Sequence, residues 1–65
     1  SATEYLARNG LSDIDREVRI KAAELLSVKK DEISLPYLLD GIKSEKDSQV
    51  RKAIAMAYSR VKYNK

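Results

Sequence analysis

The amino-acid sequence predicts an all-α fold: two stacked antiparallel helix hairpins, four helices in all, forming a fragment of an α-α superhelix. Three observations predict it. Asp15-Arg16-Glu17-Val18-Arg19 returns as Asp47-Ser48-Gln49-Val50-Arg51, 32 residues on, and each copy runs into an apolar stretch rich in small residues. Apolar residues between the turns recur at helical rather than strand spacing. Two cap-rich turns, Ser12-Asp13-Ile14-Asp15 and Ser44-Glu45-Lys46-Asp47-Ser48, fall at the same offset. A helix pair repeated at this period is the sequence sign of a solenoid. One domain spans residues 1–65, with one repeat over about 2–30 and the other over about 33–63.

The first element, Ala2 to Asn9, reads as a short helix anchored by Tyr5 and Leu6. Asn9-Gly10 reads as its stop, since both residues tolerate the left-handed conformation that closes helices. Leu11 is placed to fold back on Leu6 or Ala7. In the following turn Asp13 or Asp15 caps the next helix, whose N-terminus favours acids. That helix covers about Arg16 to Val28. On a wheel Val18, Ala22, Leu25 and Leu26 share one face. Arg16, Ile20, Ala23 and Ser27 lie opposite.

Lys29-Lys30-Asp31-Glu32 is a polar link whose lysines suit a helix C-terminus and whose acids suit the next N-terminus. The third helix runs from about Ser34 to Lys43, with Pro36 in its first turn, where the missing N–H costs nothing. Leu35, Leu38, Leu39 and Ile42 form its apolar face. Gly41 inside it costs about 1 kcal/mol against Ala, which close approach of a neighbouring helix would explain. The last helix runs from about Ser48 to Lys62. Val50, Ile54, Ala57, Tyr58 and Val61 form its core face, and Lys52, Ala55, Met56 and Ser59 face away. Tyr63-Asn64-Lys65 should fray.

On these residues the chain resembles the HEAT-repeat family, in particular the short HEAT-like repeats first described in phycobilisome lyases. The likeness lies in Ile33-Ser34-Leu35-Pro36-Tyr37-Leu38-Leu39 for a first helix. Asp47-Ser48-Gln49-Val50-Arg51-Lys52-Ala53-Ile54-Ala55-Met56-Ala57 follows for the turn and second helix. Asp15, Val18, Arg19, Ala22 and Ala23 match in the first repeat, where Glu4 stands in place of Pro36. The resemblance implies stacked antiparallel helix pairs with the second helices lining a concave surface. It also implies binding to proteins, as most such modules do. A few members bind nucleic acid or serve as subunits of bilin lyases.

Composition narrows the function. No Cys or His is present, so disulfides and zinc sites lack their ligands. With no Cys, no His and no glycine-rich phosphate loop, nucleophilic, metal and nucleotide chemistry lack their usual parts. The chain reads as a non-enzyme without a cofactor. Asp13-x-Asp15-x-Glu17, with Glu24 at the twelfth place, mimics a calcium loop, but Val18 stands where the sharp turn demands Gly. An apolar share of 43% is too high for disorder, and no run is long enough to span a membrane. The absence of Cys suits a reducing compartment, and cytoplasmic residence is expected. The chain begins at Ser1 rather than Met, which fits a fragment or a processed or tagged product.

Asp15 and Arg19, like Asp47 and Arg51, stand at i, i+4. They suit either an acidic or phosphorylated partner or a scaffold role, with Asp as cap and Arg reaching over the turn or to the next repeat's Asp. Repetition at one site in each unit favours the scaffold. The outward residues Arg16, Ile20, Ala23, Ser27, Lys52, Ala55, Met56 and Ser59 are the expected partner-binding surface, or the seat of a further repeat or second copy. The expected function is therefore a protein-interaction scaffold within a larger solenoid or assembly. The alternatives are an accessory subunit of a bilin lyase and a nucleic-acid-binding repeat using Arg16, Arg19, Lys29, Lys30, Arg51 and Lys52. With a net charge of only +3 and acids interspersed among the bases, nucleic acid is the weaker partner.

Overall fold

A computed structural model describes residues 1–63. The described residues form helices and turns without a strand. Helix α1 (Ala2–Tyr5) passes directly into a widened i→i+5 turn over Leu6–Gly10. Helix α2 (Arg16–Lys29) follows, then a 3₁₀ turn (Glu32–Ser34) that leads into α3 (Leu35–Ser44), then α4 (Ser48–Tyr63). Helix α2 packs against the widened turn, α3 packs against α4, and α2 lies along α4. The molecule is thus two helix pairs whose long members share a seam.

Acids shape both main turns in the same way. The Asp13 carboxylate accepts the Asp15 amide at 2.8 Å, and Asp15 accepts that of Glu17 at 2.9 Å. In the second turn Glu45 accepts the Asp47 amide at 3.0 Å, and Asp47 accepts those of Gln49 and Val50 at 2.9 and 3.2 Å. Each long helix therefore starts with its first amides satisfied. Asp31 accepts the Ile33 amide at 3.0 Å at the start of the 3₁₀ turn.

The first helix does not close in the left-handed manner expected at Asn9-Gly10, because no glycine has a positive φ. The widened turn ends it instead, with Asn9 Nδ2 donating to the Tyr5 carbonyl and Ser12 Oγ to that of Arg8. The left-handed residue is Lys30, at φ 55° and ψ 32°, whose N–H closes α2 on the Leu26 carbonyl. Both glycines mark close crossings. A Cβ on Gly10 would stand 2.7 Å from Ala22 Cβ, and one on Gly41 would stand 3.1 Å from Ile54 Cδ1.

The core is Ala7, Leu11, Ala22, Ala23, Leu26, Leu38, Val50, Ile54, Ala57 and Val61. The α4 face is the one its periodicity predicts, with Tyr58 packed at its edge. The α2 face is turned from the expected one. Ala23 is fully buried, whereas Val18 and Leu25 are 40% and 44% exposed. Helix α2 is covered on two sides, by the first helix and by α4, so Leu26 is fully buried with Ala22 and Ala23, while Val18, Leu25 and Val28 lie on the uncovered flank. Tyr5, expected as an anchor, is 66% exposed, and Thr3 and Ala7 are buried instead. Leu39 lies at an exposed edge of α3. Tyr63 belongs to α4. The fraying expected beyond it, at Asn64 and Lys65, falls outside the described residues. No helix among the described residues is long and apolar enough to cross a membrane.

Candidate functional site

Two features concentrate polar chemistry and open surface: a charged seam where the turns meet, and a groove between α2 and α4. The seam is centred on Arg19. Its Nε is 2.9 Å from Glu45 Oε1, and its Nη2 donates to Oε2 at 3.3 Å. Its Nη1 donates to the carbonyls of Asp13 and Ile14 at 3.0 and 3.1 Å. Arg51 Nη1 donates to the Glu45 carbonyl at 3.0 Å, which repeats the Arg19 to Asp13 bond one unit on. The i, i+4 residues therefore act separately: Asp15 and Asp47 cap, and Arg19 and Arg51 reach back over their turns.

Across the seam Arg19 meets Glu45, and not Asp47, which was the partner in one of the two arrangements expected for it. Asp47 receives Arg16 instead, with Nε to Oδ2 at 2.6 Å. Arg16 also donates to Glu17 at 2.9 Å and to Gln49 Oε1. The Arg16 hydrogen bond, backed by the Val50 and Gln49 amides, holds the Asp47 carboxyl below the usual carboxylate range. Asp47 in turn holds the Arg16 guanidinium above its ordinary value, through its hydrogen bond and then its charge. Arg16 was expected on a partner-binding face, but its guanidinium is engaged within the chain.

The groove is a shallow space of about 220 Å³. Ala23, Glu24 and Ser27 of α2 and Ala53, Met56, Ala57 and Arg60 of α4 line it. Ala23 and Ala57 are fully buried and form its floor, and Met56 is 49% exposed on its wall. Glu24 and Arg60, both exposed, put opposite charges on its margin. The volume is below that of most small-molecule sites, and suits one apolar side chain of a larger partner. No group of three or more His, Cys, Asp or Glu residues among the described residues is arranged to hold a metal ion.

The eight residues expected on one outward face divide. Ala23, Ser27 and Met56 border the groove. Ile20 is half-buried against the core, and Arg16 is in the seam. Lys52, Ala55 and Ser59 are exposed and outside the groove. The split has a simple cause. Equivalent positions of two stacked units look in the same direction, so Ile20, Ala23 and Ser27 face the second unit while their counterparts Lys52, Ala55 and Ser59 face outward. Ala23 is consequently buried and its counterpart Ala55 exposed. The reading of the sequence missed Glu24, Ala53 and Arg60 for the groove and placed Ala57 in the core alone. The groove draws on different wheel positions of the two helices, so a single repeated stripe does not find it. It also missed Glu45 as the seam acid, although Asp13 and Glu45, acids at the repeat offset, carried that signal. No family model, curated protein or solved structure matches this chain.

Proposed function

We propose that this chain is a non-catalytic, HEAT-like helical-repeat scaffold that holds a protein partner in the α2–α4 groove. The observation that carries the reading is the groove itself, with a floor of buried alanines, an exposed Met56 and the charged pair Glu24 and Arg60 at its margin. Methionine adapts its shape to an incoming apolar group. The occupant that fits is a protein segment that inserts one apolar side chain and flanks it with a cation near Glu24 and an acid near Arg60. Binding to nucleic acid is less well supported, because Arg16 and Arg19 are already neutralised by Asp47 and Glu45.

The test is capture of partners on the immobilised chain, identified by mass spectrometry, in parallel with Met56→Lys. Met56 is an exposed helical residue, so the variant should keep its melting temperature. Retention of one protein by the native chain, with loss in the variant, is the expected result. Retention that ignores the substitution overturns the groove as the site.

A further inference from the structure

We propose that the two ends of the stack are complementary to one another, so that a second copy of this chain docks head to tail by repeating the internal seam. The inference rests on the repeat-scaffold reading and deepens it by naming one partner and its surfaces.

Residues of the second unit that rest on the first are buried, and their counterparts 32 residues earlier are open. Val50 and Ala57 are fully buried, whereas Val18 and Leu25 are exposed. The opposite exchange holds at the other end. Ala7, beside Tyr37 and Gly41 of the second unit, and Ala23, beside its Ala53 and Ala57, are buried, whereas their counterparts Leu39 and Ala55 are exposed. One end therefore presents the surface that the second unit uses to sit on the first. The other end presents the surface on which it would sit.

Charge follows the same rule. Within the chain Arg19 forks onto Glu45 of the next unit. Moved along by one unit, that pair becomes Arg51 of one copy and Asp13 of the next. Arg51 uses Nη1 on the Glu45 carbonyl, and its Nε and Nη2 have no hydrogen-bond partner among the described residues. Asp13 already accepts the Asp15 amide, just as Glu45 accepts that of Asp47. Apolar contacts complete the match, with Pro36 and Leu39 of one copy meeting Tyr5 of the next, and Ala55 meeting Val18 and Leu25. Lys52 replaces Ile20 at this junction, and its aliphatic stem can cover apolar surface while the ammonium stays in water. Such a contact joins unlike faces, so copies add into open chains or close into rings.

Sedimentation of the pure chain from micromolar to millimolar concentration tests this. The expected result is a mass that rises with concentration past the dimer. Leu25→Glu blocks one end and Ala55→Glu the other, at exposed helical positions outside the groove, with folding checked by circular dichroism. Each variant alone should stay monomeric, and an equimolar mixture should form a one-to-one dimer that grows no further. A native chain that is monomeric throughout overturns the proposal. So does a single variant that still self-associates, or a mixture that stays monomeric. None of these outcomes touches partner capture through Met56, so the two readings fail separately.

Discussion

Arg19→Ala should destabilise the fold far more than Arg51→Ala, although the two arginines hold equivalent places in their repeats. Removing Arg19 deletes the fork onto Glu45 and the bonds to the Asp13 and Ile14 carbonyls. The Arg19 and Glu45 side chains are only 19% and 9% exposed, so Glu45 is left partly desolvated with the Asp47 amide as its remaining donor. Breaking a buried pair from one side costs about 3–5 kcal/mol. Water that reaches the Ile14 carbonyl and the rim of the seam lowers this to about 2–3 kcal/mol. Arg51→Ala loses one exposed bond to the Glu45 carbonyl, a loss of about 0.5–1 kcal/mol. For a chain of this size 1 kcal/mol moves the melting temperature by roughly 4–8 °C. Thermal unfolding followed by circular dichroism should therefore show shifts of roughly 10–20 °C for Arg19→Ala and about 2–8 °C for Arg51→Ala. A cycle with Glu45→Ala should return a coupling of about 1–2 kcal/mol. Equal shifts for the two arginines, or a coupling near zero, would show that the fork across the seam contributes nothing to stability.

The close crossings, the helix end and the seam each give a further expectation. Gly10→Ala pushes a methyl to 2.7 Å from the fixed Cβ of Ala22 and should destabilise by about 1–2 kcal/mol in urea unfolding. Gly41→Ala meets the movable Cδ1 of Ile54 at 3.1 Å, and a helix-propensity gain of about 1 kcal/mol should bring its net effect near zero. If the two glycine variants behave alike, the α2 crossing is looser than described. Lys30→Gly relieves a left-handed backbone and should raise stability by about 0.5–1 kcal/mol, so a lower melting temperature would contradict that conformation. Asp47 has a folded-state pKa below its ordinary value, so its contribution is complete above the unfolded-state pKa and is lost as pH falls through the folded one. The stability gap between the native chain and Asp47→Asn should thus be constant near neutrality and close below roughly pH 4. A gap that does not change with pH would remove Arg16 and Asp47 from the seam's electrostatics.

The last helix was legible in the sequence because one stripe of Val50, Ile54, Ala57 and Val61 is both its most apolar face and its only buried one. Helix α2 was not, because a wheel weighs residue size while burial depends on what stands opposite. Val18 and Leu25 outweigh Ala23 on the wheel, yet Ala23 has α4 against it. Two-sided covering also buries the adjacent pair Ala22 and Ala23, about 100° apart on a helix, which no single narrow stripe describes. The left-handed turn at Lys30 had no signal, since glycine is the residue that usually announces it. The groove was hidden for a related reason: it belongs to the junction of two helices and to neither alone.

The residues at the junction set how strongly copies of the chain should associate. Inside the molecule the seam joins Ile20 and Ala23 of α2 to an α4 that covers them, and Arg19 to a Glu45 that is mostly out of water. Between copies the equivalent positions are Lys52 and Ala55, and the acid is Asp13, one methylene shorter than Glu45. Ile20 is only half-buried, and a lysine stem keeps part of the cover, so the exchange gives up about 0.5–1.5 kcal/mol of apolar burial at that position. The contact between copies also lacks the chain connection that makes the internal seam intramolecular and raises its effective concentration. Copies should therefore dissociate on dilution while each molecule stays folded. Lys52→Ile restores the internal composition of the seam and should move the onset of association to lower concentration. A variant that sediments like the native chain at every concentration would mean that Lys52 lies outside the contact.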